Sequence, residues 1–188
     1  MTAELEDLPQ IEKSRWLVAL GLIRAVATTA VLVALYYLLP LDSLSRAPWG
    51  LTFAVALTIL VAVGAWQVRA VMASPNPAIR AIEGLAATAP LFILLFAATY
   101  FVMARTEPGH FSAPGMSRTD TLYFAVTIFS TVGFGDITAT SAASRLVVTL
   151  QMVLDLIVLG LGVRVFAGAV RLGRERANGG PRAAEPKA

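Results

Sequence analysis

The sequence predicts an all-α membrane protein: four transmembrane helices, with a short re-entrant helix and loop between the third and fourth. Three observations predict it. Hydrophobic residues fill 57% of the 188 positions and charged residues only 14%, at a mean hydropathy of +0.72. A soluble domain carries roughly a quarter charged residues, and so small a globule cannot hide that much apolar surface from water. Second, four apolar stretches approach or exceed the roughly 20 residues that cross a hydrocarbon core. Third, another apolar stretch is only ten residues long, too short to cross and too apolar for water. This composition argues against a soluble enzyme, a nucleic-acid reader and a disordered regulator. The solvent is a bilayer.

The elements follow in order. Residues 1–15, MTAELEDLPQIEKSR, are acidic and polar, unlike a cleavable signal peptide; they read as a cytoplasmic segment. The first span runs about Trp16–Leu39 and stops at Pro40. The second runs about Trp49–Met72, ahead of the breaker Ser74-Pro75-Asn76-Pro77. The third covers about Ile82–Met103, with Pro90 expected to kink it, and the fourth about Arg145–Leu172. Helices are required because unpaired backbone groups cannot face lipid. Residues 173–188 are polar and rich in Gly, Pro and Ala, and read as a disordered cytoplasmic tail. With the N-terminus inside, nine lysines and arginines fall on the cytoplasmic side and four (Arg46, Arg105, Arg118, Arg145) outside, which puts both termini in the cytoplasm. The membrane is then expected to be the cell membrane.

Between the third and fourth spans, Ala104–Ser144 opens with the turn-rich RTEPGHFSAPGMSRTD and continues with TLYFAVTIFS. A ten-residue apolar segment between spans reads as a re-entrant helix, tolerated at membrane depth where protein or a wet cavity adjoins it. Ser117, Thr119 and Asp120 are available to cap it. It is followed by Thr131-Val132-Gly133-Phe134-Gly135-Asp136. Over about Ile82–Leu172 the chain resembles the pore domain of tetrameric potassium channels, in particular the small prokaryotic type, in which TVGYGD or TVGFGD is the selectivity filter. The resemblance implies an outer helix, turret, pore helix, filter and inner helix over residues 82–172. It also implies a homotetramer, with residues 16–81 as a two-helix scaffold and potassium as the permeant ion.

Physical chemistry explains the order of residue types. A potassium ion entering a pore exchanges its water shell for oxygens spaced along the axis. Backbone carbonyls supply them when successive peptide units point inward, which alternating ordinary and positive-φ conformations achieve; Gly133 and Gly135 adopt the latter without a Cβ penalty. The resemblance then assigns coordination to the carbonyls of Thr131, Val132, Gly133 and Phe134 and to the Thr131 hydroxyl, with Val132 and Phe134 packing back against the pore helix. Asp136 would form an acidic ring at the outer mouth; the plainer alternative is a loop carboxylate. Against the family pattern, Phe134 stands where tyrosine is commoner, Ile128 and Phe129 where small or hydroxylated residues are frequent, and Thr127 where some relatives carry glutamate.

Asp155 lies about 16 Å into the fourth span, where an ionisable group is costly and points to a site. Two readings stand side by side: it faces a water-filled cavity below the filter, or it pairs with Arg24 of the first span. Arg164, nine residues on, falls on the opposite face, snorkelling to the interface or meeting Glu83. Leu156, Leu159 and Val163 share a face and are the expected cavity lining. Gly160 is either a gate's bending point or a packing residue, whereas Gly162 and Gly168 are expected to pack closely. His110 is expected to be a solvated turret residue, with external acid sensing as the alternative.

The first two spans carry only Arg24 and Arg69, not the arginine row of a voltage sensor, and no ligand domain is evident. A leak or filter-gated potassium channel is the expectation. Its rivals are a non-selective cation channel of the same architecture and a non-conducting membrane assembly subunit. No enzyme motif of the G-x-S-x-G or H-E-x-x-H type occurs. The absence of cysteine removes thiolate metal sites, and the single histidine argues against a multi-histidine centre. No cofactor, nucleic acid or soluble substrate is implied; the expected partners are lipid and further copies of the chain.

Overall fold

In lipid each backbone N–H and C=O must bond within its own segment, and the computed structural model is built accordingly. It describes the backbone of residues 8–44, 48–74 and 77–178. The helices are α1 Leu8–Leu38, α2 Leu41–Leu44, α3 Trp49–Met72, α4 Pro77–Thr106, α5 Arg118–Phe129 and α6 Ala142–Asn178. Residues 1–7, Arg46, Pro75-Asn76 and the tail from 179 onward lie outside the described residues. Among the described residues, three helical stretches are long and apolar enough to cross a membrane: Trp49–Met72, Arg80–Thr106 and Ala142–Arg164. The described apolar part of α1, Ile23–Leu38, is shorter.

Two limits differ most from expectation. α1 begins at Leu8 rather than Trp16, and α6 continues to Asn178, six residues into the stretch expected to be disordered. The added turn, Gly173-Arg-Glu-Arg-Ala-Asn178, consists mostly of good helix formers, and it stops before Gly179-Gly180-Pro181, a strong termination signal. Pro90 lies inside α4, which is assigned as one helix through it.

α4 is the hub. Its spanning stretch is 44% buried, against 11% for α3 and 22% for α6, and α1, α3, α5 and α6 all pack on it. Near the α5 end of the bundle, α4 and α5 meet in an aromatic core of Phe92, Phe96, Tyr100 and Phe124, with Phe111 from the following loop; neighbouring rings lie 4.9–6.2 Å apart. Such ring pairs contribute about 0.5–1.5 kcal/mol each beyond area burial. At the opposite end, Gln67 of α3 donates from Nε2 to the Gly84 carbonyl at 3.1 Å and to Thr88 Oγ1 at 2.8 Å. A Cβ on Gly84 would collide with that amide, so the glycine permits the α3–α4 approach.

α1 and the single turn α2 hold the start of α5. The last carbonyls of a helix lack intrahelical donors, and Arg118 supplies them. Its Nη1 donates to Tyr36 O at 3.1 Å and Tyr37 O at 2.5 Å, while Nη2 meets Asp42 Oδ2 at 3.1 Å. In return, the buried Tyr36 hydroxyl donates to Arg118 O at 2.8 Å and lies 2.9 Å from Thr121 Oγ1. Arg105 and Arg118 both lie over the Phe101 ring, 5.0 and 5.5 Å from its centroid, and both reach Asp42. α1 therefore braces the N-terminus of α5.

The turret is a strap rather than a solvated loop. Phe111 bridges Ala139. Ser112 N donates to Thr138 O and Thr140 N to His110 O, each at 2.9 Å, joining the segment before α5 to the segment that follows the 131–136 loop. His110 corrects the expectation of a solvated side chain. It is 4% exposed, lies edge-on to Trp49 with centroids 6.1 Å apart, places Nδ1 2.6 Å from Ser141 Oγ, and turns Nε2 toward the Glu107 carboxylate at 3.4 Å. A ring that fills an apolar gap and keeps a hydrogen bond tolerates burial.

Candidate ion pathway

α5 is set by its cap. Ser117 Oγ accepts from Asp120 N at 3.2 Å, and Ser117 N donates to Asp120 Oδ2 at 2.8 Å, a reciprocal capping box. These bonds from Ser117 hold the Asp120 carboxyl below the usual carboxylate range. One face of the helix, with Thr121, Phe124, Ala125 and Ile128, is buried against α4. A polar link fixes its depth: Tyr100 of α4 donates to Gln151 Oε1 at 2.6 Å, and Gln151 Nε2 donates to the Ala125 carbonyl at 3.1 Å. Gln151 is wholly buried.

The C-terminus of α5 leads directly into the loop. Val132 N and Gly133 N both donate to Thr127 O at 3.1 Å, Ser130 Oγ does so at 3.2 Å, and Thr131 N donates to Ile128 O at 2.9 Å. Thr127, unable to supply a carboxylate, thus anchors the loop through its carbonyl. Beyond this anchor the backbone alternates: Thr131 has φ 59°, Gly133 φ 52° and Gly135 φ 78°, while Val132 and Phe134 keep negative φ. Left-handed residues at every second position are the backbone alternation that a row of carbonyls on one side would require. The glycines were anticipated. Thr131, which accepts left-handed strain of roughly 1–2 kcal/mol, was not.

The side chains of the loop differ in part from expectation. Phe134 stacks on Tyr123 of α5, with centroids 6.3 Å apart and rings 4° from parallel, yet remains 69% exposed; Val132 is 54% exposed. Within one chain they lean on the pore helix without being enclosed by it. Thr131, Gly133, Gly135 and Asp136 are exposed as well. The Asp136 carboxylate beside Tyr123 of α5 pushes the phenol above its ordinary range.

On α6, Leu156 (68% exposed), Leu159, Gly160 and Val163 lie on an open face, as expected of the shared stripe. Asp155 does not join them. It is 2% exposed and points into the chain beside Gln151, one turn earlier, and its carboxylate pairs with no cation among the described residues. Both readings of Asp155 are corrected: the side chain lies on the packed face of α6, and Arg24 sits elsewhere, in a cavity with Glu83. Nor does Glu83 meet Arg164; it pairs with Arg80 at 3.1 Å. A Cβ on Gly162 would lie 3.1 Å from Leu85, a close packing contact, whereas the same atom on Gly168 or Gly160 would meet nothing within 4 Å. The apolar face of α6 offered a single polar break besides Asp155 in this region, Gln151, and that was the available signal for the link to α5.

Two packed helices with a capped short helix and a loop of alternating backbone between them define the class, an all-α membrane protein. Residues 88–171, a little under half of the chain, match the family model described as Ion channel. The match begins within α4 and runs through α5, the loop and most of α6. Comparison with curated proteins and with solved structures found no match.

Proposed function

We propose that the chain is one subunit of a homotetrameric, potassium-selective channel in the cell membrane, with both termini in the cytoplasm. The observation that carries this reading is the alternation of left-handed backbone at Thr131, Gly133 and Gly135 immediately after the capped twelve-residue helix α5. Four such loops around an axis would stack rings of carbonyls from Thr131, Val132, Gly133 and Phe134, with the Thr131 hydroxyl below them. Such rings replace the hydration shell of the ion. The negative end of the α5 dipole, at Phe129, faces the pathway and favours a cation there. Asp136 adds an acidic ring at the mouth. Conduction is passive and needs no cofactor, and gating resides in the filter or is absent.

Purified protein reconstituted in liposomes tests this reading. Potassium flux should follow an imposed gradient, and bi-ionic reversal potentials should favour potassium over sodium strongly. Equal permeabilities would establish the non-selective reading, and no flux from intact tetramers the assembly-subunit reading.

A further inference from the structure

At the end of the bundle remote from the filter loop, α1, α3 and α4 enclose a cavity of about 210 Å³ that the ion pathway does not use. Arg24, Arg80, Glu83, Gln67 and Trp66 line it. Two guanidinium groups face one carboxylate, so the cavity carries a net positive charge. Glu83 engages only Arg80, and no carboxylate pairs with Arg24 among the described residues. Arg24 is exposed at this open cavity, and an arginine at membrane depth without an anion is costly, so the cavity is one charge short.

The cavity is also continuous with an apolar groove. Ala25 lines both it and a shallow trough of about 600 Å³ on α1, formed with Val26, Thr29, Ala30, Val33 and Ala34, which runs toward the filter end. Arg24 stands 12 residues from Tyr36, about 18 Å along the axis. The polar cavity therefore lies in the leaflet remote from the filter, and the groove ascends from it into the hydrocarbon. A cationic hollow joined to an apolar trough of this length fits one chemistry: a phosphate head with an acyl chain attached. Basic pockets between helices hold anionic headgroups in this way, and Trp66 supplies an interfacial ring beside it.

We propose that this cavity binds an anionic glycerophospholipid, its phosphate between Arg24 and Arg80 and one acyl chain along the α1 groove. The assignment is independent of conduction. Full-length protein is purified, exposed to a mixture of phosphatidylglycerol and phosphatidylcholine, and analysed by native mass spectrometry for retained lipid. Phosphatidylglycerol should be retained in preference, and each of Arg24→Gln and Arg80→Gln should weaken retention about fivefold. Glu83→Gln, which removes the competing carboxylate, should strengthen it; a variant that merely damages folding would not. Ala30→Trp, which fills the groove, should weaken retention with both arginines intact. Equal retention of the two lipids, indifference to both arginine substitutions, or displacement of the lipid by millimolar inorganic phosphate would each overturn the proposal. So would an Ala30→Trp variant that retains lipid normally but fails to assemble, because the groove would then be a subunit contact.

Discussion

The loop rests on conformations that side chains resist. Gly133 sits at φ 52° with open space around its missing Cβ, so the obstacle to a larger residue there is backbone strain alone. Gly133→Ala places an L-residue in the left-handed region at a cost of roughly 1–2 kcal/mol per chain, repeated around a ring. Potassium flux is expected to fall at least about tenfold, with helical content by circular dichroism unchanged; undiminished flux would contradict the carbonyl-row geometry. Asp120 makes a second prediction. Its carboxyl is depressed in the folded state, so its contribution is fully present above the ordinary carboxylate value and is lost as pH falls through the folded one. The melting-temperature gap between wild type and Asp120→Ala should therefore narrow between about pH 5 and pH 3. The glycines and the cap were legible because each answers a local rule. The left-handed Thr131 was not, since propensity opposes it and only the anchoring of residues 131–133 on Thr127 and Ile128 imposes it. The orientation of Asp155 was equally hidden, because a helix wheel ranks faces but does not say which one a neighbour covers.

At the scale of elements, hydropathy marks spans well because a bilayer demands length and apolarity together; the second span coincides with α3 at both ends. It says nothing of how a polar loop is tied down. The strap between residues 110–112 and 138–140 uses backbone bonds that almost any sequence can make, and the burial of His110 follows from that strap. The brace between α1 and α5 was also unreadable, since Arg118 lies 76–82 residues from its partners Tyr36, Tyr37 and Asp42. It makes a direct prediction. Arg118→Gln strands the Tyr36 and Tyr37 carbonyls and exposes Asp42 to the loss of one cation. Leaving a buried acceptor unsatisfied costs about 1–3 kcal/mol. Thermal melting in detergent should drop by several degrees, and Tyr36→Phe should lower it too through the lost bond to the Arg118 carbonyl. If the first two helices were passive packing against lipid, neither substitution would disturb the pore; under the brace, both should reduce flux alongside stability.

The molecule as a whole is a chain with one covered side and one open side. α6 turns Gln151, Asp155 and Gly162 inward and leaves Leu156, Val163 and Leu161 more than half exposed, while the filter loop stands free beside them. On the proposed reading, other copies close the exposed loop into a ring, which ties the open face of α6 to the same axis. Helical geometry divides that face: Leu156, Leu159 and Val163 fall within about 60° of one another, and Leu161 lies about 160° from Val163. The first group should line the water-filled path below the filter, and Leu161 should meet lipid or a neighbouring subunit. The chain has no cysteine, so a single introduced thiol reports its own surroundings without background. Leu156→Cys and Val163→Cys should react with a charged, membrane-impermeant thiol reagent applied from the side opposite the filter, and flux should fall as each reacts. Leu161→Cys should remain unmodified under the same treatment. The reverse pattern, with Leu161→Cys blocked and Val163→Cys inert, would place the axis on the wrong side of α6 and detach the inner helix from the pathway.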